Sequence, residues 1–354
     1  MYRLDEIQAN SEDMRNAVMQ ARPFKPLYVK MKVVYGCNLK CEMCNHRREK
    51  RESPVSAERF KEVIREFREM GTTKIHLSGG EPMLRPQIPA FVELASSVGV
   101  KVTMTTNGTL VDKIKAKRLV EGGLRGVKIS IDSPIRKMHE KIRGAEGAFK
   151  ATTKAVELFD RYKHKGKLTV RINTVVSRTN YQTLELLPDL AHELGADGIN
   201  LIPVDDHCGE ILSMRKKDIA LFNQQIAPKI AERAMALGPI VSDEEAFPFG
   251  RSEAELRLGR AGRYAFGYYD KHPCFAPWTH SLIDFNGNVY VCCMTRERIP
   301  PIGNIRSQSF REIWESAAYQ RTRLKMHPPA LSPCRRCDDF IGENKKIWET
   351  IGPY

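Results

Sequence analysis

No apolar run among the 354 residues approaches the ~20 that a membrane-crossing helix needs. The opening stretch, MYRLDEIQANSEDMRNAVMQ, is charged and polar and lacks the apolar core of a secretory signal. A cytoplasmic address is therefore expected by elimination. No basic run is long enough to be a nucleic-acid-binding arm, and no RNA-binding aromatic motif is interleaved with the charges. A disulfide framework is missing too, because the nine cysteines are odd in number and have no secretory context. What is present, 42% hydrophobic and 28% charged residues, argues against disorder, collagen-like repeats and low-complexity arrays. The length suggests roughly two to three domains and suffices to bury a core without covalent staples.

Lysine and arginine total 57 against 43 acids, a net charge of +14. The excess is spread over short groups, Arg47, Arg48, Lys50 and Arg51, then Arg161, Lys163, Lys165 and Lys167, then Arg215, Lys216 and Lys217. Such a chain favours anionic partners, and a solvated basic surface is the plainer account of the same charges.

The cysteines are grouped. Cys37, Cys41 and Cys44 lie within eight residues; Cys274, Cys292, Cys334 and Cys337 form a C-terminal set; Cys208 and Cys293 are left over. Three closely spaced thiolates can hold three irons of a cubane cluster and leave the fourth iron open to a small molecule. The C-terminal four could fully ligate a second metal centre, and on spacing alone zinc and an iron–sulfur cluster are equal candidates.

From residue 27 to about 203, short β-rich runs alternate with amphipathic helices. The runs are Leu27–Tyr35, Lys74–Leu77, Val100–Met104, Val127–Ile131, Lys167–Val176 and Gly198–Ile202. The clearest helix carries Phe60, Val63, Ile64, Phe67 and Met70 on one face, with Ser56 as cap and a Val55–Phe60 staple. This alternation predicts a six-stranded parallel sheet, open or partly closed as a barrel, with its ligand site beyond the carboxyl ends of the strands. The cysteine triplet follows the first strand and so falls at that end. Residues 206–270 read as a helical linker, with a helix from about Met214 to Leu237. From Cys274 a small β unit follows, Ser281–Phe285 and Asn288–Cys292 joined by Asn286-Gly287, a strong hairpin signal. A helix is expected over about Phe310 to Lys325. The N-terminal 26 residues look helical and peripheral.

Cys37-x3-Cys41-x2-Cys44 after a first strand resembles the radical S-adenosylmethionine (AdoMet) superfamily, and other motifs agree. Ser78-Gly79-Gly80-Glu81-Pro82 is similar to the motif that receives the AdoMet amino group. Thr105-Thr106-Asn107-Gly108 and Ser130-Ile131-Asp132 end the third and fourth strands, as in relatives that hold the ribose and carboxylate there. His139-Glu140-x2-Arg143-Gly144, then Gly147-x-Phe149, and Arg171 to Asn173 in the fifth strand are also familiar. The resemblance implies that Gly79, Gly80, Glu81, Thr106, Asn107, Ser130, Asp132, Arg143 and Arg171 bind AdoMet. Met43 stands where many relatives carry an aromatic near the adenine, and a methionine can fill that space. The C-terminal part resembles the SPASM/twitch extension through Cys274, Gly287-x4-Cys292, Gly303-Asn304-Ile305, Trp314 and Cys334-x2-Cys337. Its later cysteines are absent, which fits the shorter twitch form with one auxiliary [4Fe–4S] cluster on Cys274, Cys292, Cys334 and Cys337. The implied fold class is α/β: a partial (β/α)6 TIM-type barrel over 27–205 and a small α+β iron–sulfur domain over 271–354.

The resemblance implies reductive cleavage of AdoMet to a 5′-deoxyadenosyl radical, which takes a hydrogen atom from an unactivated carbon, with a flavodoxin- or ferredoxin-type electron donor. The outcome is then dehydrogenation, epimerisation or bond formation in a ribosomal peptide. Peptide-modifying relatives often carry a leader-binding domain of ~80 residues, which 26 N-terminal residues do not supply. A small polar metabolite (a sugar, aminocyclitol or nucleoside) is therefore the leading substrate class. Cys208 in Asp205-Asp206-His207-Cys208, beside the reactive mouth, is a candidate hydrogen-atom donor; Asp205, Asp206 and His207 are candidate bases or substrate contacts. Cys293 is expected to be a packed neighbour of Cys292. A zinc-containing nucleic-acid-binding protein is the remote alternative, and it gives the Gly-Gly-Glu-Pro run and the cysteine triplet no role.

Overall fold

Six strands, β1 (Tyr28–Lys32), β2 (Lys74–Ser78), β3 (Lys101–Thr106), β4 (Leu124–Ser130), β5 (Thr169–Val176) and β6 (Gly198–Pro203), pair in parallel with their sequence neighbours. This computed structural model describes residues 4–44, 55–205, 211–238, 241–296, 298–326, 331–337 and 340–352. The basic group 47–51 and Asp206, His207 and Cys208 lie outside the described residues.

Alternation gives each strand two faces. Val29, Met31, Ile75, Leu77, Val102, Met104, Val127 and Ile129 are buried beneath the helices. The opposite positions, including Lys30, Lys32, His76, Lys128 and Asn173, are polar and line the inside of the half-barrel. The helix Ala57–Glu69 shows why the outer face closes: Phe60, Val63, Ile64 and Phe67 recur at helical spacing and are all buried. Ser56 caps it by accepting from the Arg59 N–H at 3.2 Å, as expected.

The C-terminal β unit continues the sheet of the half-barrel. β7 (His280–Ile283) pairs in parallel with β1, and β8 (Asn288–Tyr290) and β9 (Gly303–Asn304) extend the same sheet to nine strands. The open edge of β1 is thereby covered, which satisfies its backbone groups. The hairpin turn also differs from the two-residue type implied by Asn286-Gly287. Asp284 accepts from the Asn286 and Asn288 N–H groups, each at 2.9 Å, and only Gly287 has positive φ in the turn.

Two helical expectations need correction, and a third, the linker helix, is present with a π turn inside it. The N-terminal segment is not peripheral: Met14 and Val18 are fully buried, and Trp278 Nε1 donates to Ala17 O at 3.1 Å. The linker helix is Lys216–Leu221 continued by a π turn, Phe222–Ile226, into Ala227–Ala236; Pro228, just after that turn, has no N–H to donate. The helix over 310–325 is two, Phe310–Glu315 and Ala317–Leu324, because Ser316 leaves helical φ/ψ and caps the second. The chain ends in a further helix, Ile341–Ile351, absent from the sequence reading.

Arg59 joins the two halves. Its Nε donates to Ile305 O at 2.7 Å and its Nη2 to Gln308 O at 2.9 Å, while Glu66 accepts from the Phe310 N–H at 2.6 Å. Arg59→Ala removes the donors to two carbonyls, at a cost of about 1–3 kcal/mol. Hydrogen exchange should quicken in residues 303–315 and stay unchanged in β3 and β4.

Candidate active site

The chain leaves β1 at Lys32 and stays close to the end of β2: Val33 N–H donates to Ser78 O at 2.8 Å, Gly80 N–H to Val34 O and Glu81 N–H to Gly36 O, both at 2.9 Å. A Cβ at Gly79 would collide with Val34 O, and one at Gly80 with the carbonyls of Tyr35 and Gly36. The two glycines are thus required by close backbone approach. The loop then hangs on the end of the helix Arg136–Arg143, through Lys40 N–H to Arg143 O at 3.2 Å and Glu42 N–H to Ile142 O at 2.9 Å.

This loop carries Cys37, Cys41 and Cys44, all three on the wall of a cavity of about 700 Å³. Donors are aimed at two of the sulfurs. Leu39 N–H and Asn107 Nδ2 point to Cys37 Sγ at 3.5 and 3.9 Å, and Arg143 Nη1 to Cys41 Sγ at 3.7 Å. Burial pushes the Cys37 and Cys41 thiols above their ordinary values, and in Cys41 the Arg143 charge works against that. Metal ligation needs thiolates, and the N–H donors and the guanidinium would stabilise them. The donor set fits a three-thiolate cluster.

The AdoMet cradle fits as well, with corrections. Gly79, Gly80, Thr106, Asn107, Ser130 and Arg143 line the cavity, together with Met43. The Ser78 hydroxyl is buried there without a hydrogen-bond partner among the described residues, a polar atom suited to a ligand. Glu81, however, faces away from the cavity. It is fully buried and accepts from Thr106 Oγ1 (2.7 Å) and the Asn107 (2.7 Å) and Met83 (3.0 Å) N–H groups. Its carboxylate shapes the Thr106-Asn107 turn, with two of these bonds on Oε1 and one on Oε2. Asp132 is also fully buried; it lies 2.7 Å from Arg143 Nη2 and accepts from the Val175 N–H. Burial alone would lower the Arg143 pKa, but Asp132 and the Cys41 and Cys44 thiols outweigh it and hold it above its ordinary value. Asp132 therefore orients a charge and is itself out of a ligand's reach. Arg171 lies early in β5 and donates to Asn200 Oδ1 (3.0 Å) and Ile199 O (2.9 Å), below the cradle. The next-but-one residue, Asn173, lines the cavity in its place.

Cys274, Cys292, Cys334 and Cys337 are all buried. Burial, then the neighbouring Cys274, pushes the Cys292 thiol up to about 11; Cys334 is raised further by burial, Cys274 and Cys292. Cys274 acts on both Cys292 and Cys334, and Cys274, Cys334 and Cys337 all act on Tyr269, so the four thiols gather at one site and could ligate a second cluster. Asn344 is fully buried beside it: Nδ2 donates to Cys274 Sγ at 3.7 Å and to the Tyr269 hydroxyl oxygen at 2.8 Å, and Oδ1 accepts from the Phe275 N–H.

The far wall of the cavity comes from the C-terminal part. Cys293, expected to be packed away, lines it with Met294, Arg296 and Arg298. Asp205 is held by Arg298 Nη2 at 2.9 Å and Arg336 Nη2 at 3.2 Å, and so bridges the end of β6 to the C-terminal part. A clasp is the role this geometry gives it. Sequence reasoning missed Lys32, Arg296 and Arg298; for Lys32 the signal was a lysine at an inward position of a strand.

Residues 31–191 match the radical SAM superfamily model, and residues 274–338 match the iron-sulfur cluster-binding domain SPASM. The chain belongs to the radical SAM superfamily and carries a C-terminal SPASM-type domain. Its cofactors are AdoMet and two [4Fe–4S] clusters. The chain is 28% identical over 327 residues to the AdoMet-dependent heme synthase of Methanosarcina barkeri (strain Fusaro / DSM 804), covering 88% of each chain. It is 24% identical over 331 residues to the PqqA peptide cyclase of Granulibacter bethesdensis (strain ATCC BAA-1260 / CGDNIH1), covering 88% of this chain and 80% of that one. The fold matches Streptococcus suis SuiB bound to S-adenosylmethionine with a TM-score of 0.68 at 18% identity, covering 93% of this chain and 76% of that one.

One buried arginine secures the triplet loop at both ends. Arg85 Nη1 donates to Val33 O at 2.6 Å and Nη2 to Val55 O at 2.7 Å, with the Phe60 and Phe91 rings 4.6 and 5.0 Å away. Burial lowers its pKa only to about 10, so it stays charged at neutral pH. Arg85→Leu should leave purified, oxygen-free protein with about four irons instead of about eight, and Arg85→Lys should fall between. Asn344→Leu should keep both clusters but shift the auxiliary midpoint potential downwards, read by redox titration, because a hydrogen bond to a ligand sulfur is lost.

Proposed function

We propose that this chain is an AdoMet-dependent oxidoreductase that removes a hydrogen atom from a small polar metabolite. Dehydrogenation is the leading outcome and epimerisation the second. The observation that carries the reading is one shared cavity: the triplet loop, the glycine cradle and Cys293, Met294, Arg296 and Arg298, next to Cys292, all line it. A substrate in that chamber would lie beside the triplet loop and beside Cys293, the sequence neighbour of Cys292. In this reading Cys37, Cys41 and Cys44 would hold the cluster with the open iron, and Cys274, Cys292, Cys334 and Cys337 the auxiliary one. When bound, the first cluster and AdoMet supply reductive C–S cleavage and hydrogen abstraction at an unactivated carbon, and the second cluster supplies an electron acceptor.

The protein's own part is positioning. Arg143, held by Asp132, places positive charge beside Cys41; Glu81 fixes the Thr106-Asn107 turn; Gly79 and Gly80 bring the cradle against the triplet loop. The Asp205 clasp with Arg298 and Arg336 holds the C-terminal wall over the chamber and limits water. Cys293 presents a thiol to the same space and is the described candidate for hydrogen-atom return in an epimerase. Asp206, His207 and Cys208 lie outside the described residues and keep their candidacy. Peptide maturation is the second substrate reading, supported by the likeness to the PqqA peptide cyclase over 80% of its length.

Oxygen-free, reconstituted protein with dithionite should convert AdoMet to 5′-deoxyadenosine, and Cys41→Ala should abolish this. In deuterium oxide, a substrate should yield one 5′-deoxyadenosine per turnover and a product two mass units lighter, without deuterium at carbon. Deuterium at an inverted carbon, lost in Cys293→Ala, would replace dehydrogenation by epimerisation.

A further inference from the structure

Reductive cleavage of AdoMet consumes one electron, which has to reach the first cluster from outside the chain. Electron transfer weakens steeply with distance, so a donor must dock where little protein lies in between. Among the cysteines of the two cluster sites, Cys37 is exposed and Cys44 half-buried, whereas Cys41 and the four C-terminal cysteines are buried. Asn38 and Lys40, beside Cys37, are exposed as well. The triplet loop is therefore the thinly covered approach to a cluster.

Both exposed loop residues are anchored to neighbours. Asn38 Nδ2 donates to Thr109 Oγ1 at 2.8 Å, just ahead of the helix Lys113–Glu121. Lys40 N–H donates to Arg143 O at 3.2 Å, and a Cβ at Gly144 would lie 2.8 Å from Lys40 O. Asn38 and Lys40 are two residues apart, at most about 7 Å, so the start of one helix and the end of the helix Arg136–Arg143 flank one short loop. Lys137 and Lys141 lie one turn apart on the outer side of that second helix, and Lys113 opens the first. Lys40, Lys113, Lys137 and Lys141 are all exposed, and none makes an ion pair among the described residues.

The acids nearby leave these charges standing. Glu140 is taken by Arg136 at 3.2 Å and by the Gly147 N–H at 3.0 Å; Asp112 is taken by Lys115, through its Nζ at 3.5 Å and its N–H at 2.8 Å. On segments 37–44, 109–117 and 136–147 only Glu42, with one oxygen buried, and Glu146 remain. Two large apolar side chains stand out at the same rim, Ile114 at 78% exposure and Leu84 at 41%, and Leu84 Cδ1 would sit 3.7 Å from a Cβ on Gly36. An apolar spot beside unpaired cations suits the small, charge-steered contacts of redox proteins. A three-thiolate cluster is itself anionic, so an acidic protein would be repelled from it without these lysines.

We propose that the face formed by Lys40, Lys113, Ile114, Lys137 and Lys141 docks an acidic protein that carries single electrons, and that the electron enters on the Cys37 side of the loop. The carrier is oxidised by one electron and the first cluster reduced by one; cleavage of the AdoMet C–S bond then takes that electron up. The proposal rests on the functional reading above for the use of the electron, and it adds where the electron arrives and the charge of the protein that brings it.

The test measures binding of oxidised flavodoxin and of oxidised [2Fe–2S] ferredoxin to oxygen-free holoenzyme by calorimetry. Two ionic strengths are compared, about 0.01 M and about 0.15 M, where charges are screened over about 30 Å and about 8 Å. At least one carrier should bind, tenfold or more weaker at the higher salt. At the lower salt, Lys137→Glu/Lys141→Glu should weaken binding tenfold or more, Lys137→Arg/Lys141→Arg should stay within threefold of the parent, and Ile114→Asp should lose fivefold or more. Lys216→Glu/Lys217→Glu makes the same charge change at exposed positions of another helix and should bind within twofold of the parent. Binding of neither carrier, equal binding at the two salts, unchanged binding in Ile114→Asp, a tenfold loss in the arginine pair, or equal losses in the two glutamate pairs overturns the proposal. Dithionite needs no docking face, so it should drive 5′-deoxyadenosine formation in Lys137→Glu/Lys141→Glu to within threefold of the parent, while the reduced carrier drives it tenfold or more slower. Protein that dithionite drives but that binds neither carrier overturns the face alone; protein that binds a carrier through Lys137 and Lys141 yet never cleaves AdoMet overturns the functional reading alone.

Discussion

The site depends on one steric constraint, the contact of the segment after β1 with the turn after β2. Backbone runs against backbone there, with Gly80 N–H on Val34 O and Glu81 N–H on Gly36 O, and neither glycine has room for a Cβ. That contact fixes where the cysteine loop starts. Arg85 fixes the same loop from behind by holding Val33 O and Val55 O, and the carbonyls of Ile142 and Arg143 fix its middle. Three anchors from two parts of the chain, residues 78–85 and 142–143, therefore place three sulfurs. A loop of this length would otherwise lose considerable conformational entropy on ordering around a cluster, and here the protein has ordered its flanks in advance.

The second metal site is positioned by the same sheet. Because β7 pairs with β1, the cysteines before and after the β7–β8 hairpin are carried on an extension of the barrel, and not on a lobe joined by a tether. Arg59, the Trp278–Ala17 bond and the Asp205 clasp tighten that attachment at three further points. The placement of the second site relative to the first is then set through a continuous hydrogen-bonded sheet.

The local parts of this design are legible in the sequence. The triplet spacing, the Gly-Gly pair and the alternating strands each express themselves within a few residues, so pattern alone locates them. What the sequence hides is direction and partnership over long range. Glu81 belongs to a motif yet turns inward, because Thr106 and the Asn107 amide, 25 and 26 residues on, supply its donors. Asp205 looks like a loop base until Arg298 and Arg336 arrive from the other end of the chain. The β7–β1 pairing joins residues some 250 positions apart, and no short-range signal encodes it.

Charge completes the argument. The three-thiolate cluster carries about −1 and the AdoMet cation about +1, so together they leave the chamber's balance almost unchanged. The charge a ligand meets on the cavity wall is thus set by the protein. Asp132 holds Arg143 beside Cys41, and Asp205 holds Arg298, so carboxylates behind the wall place its cations, and the cluster does not.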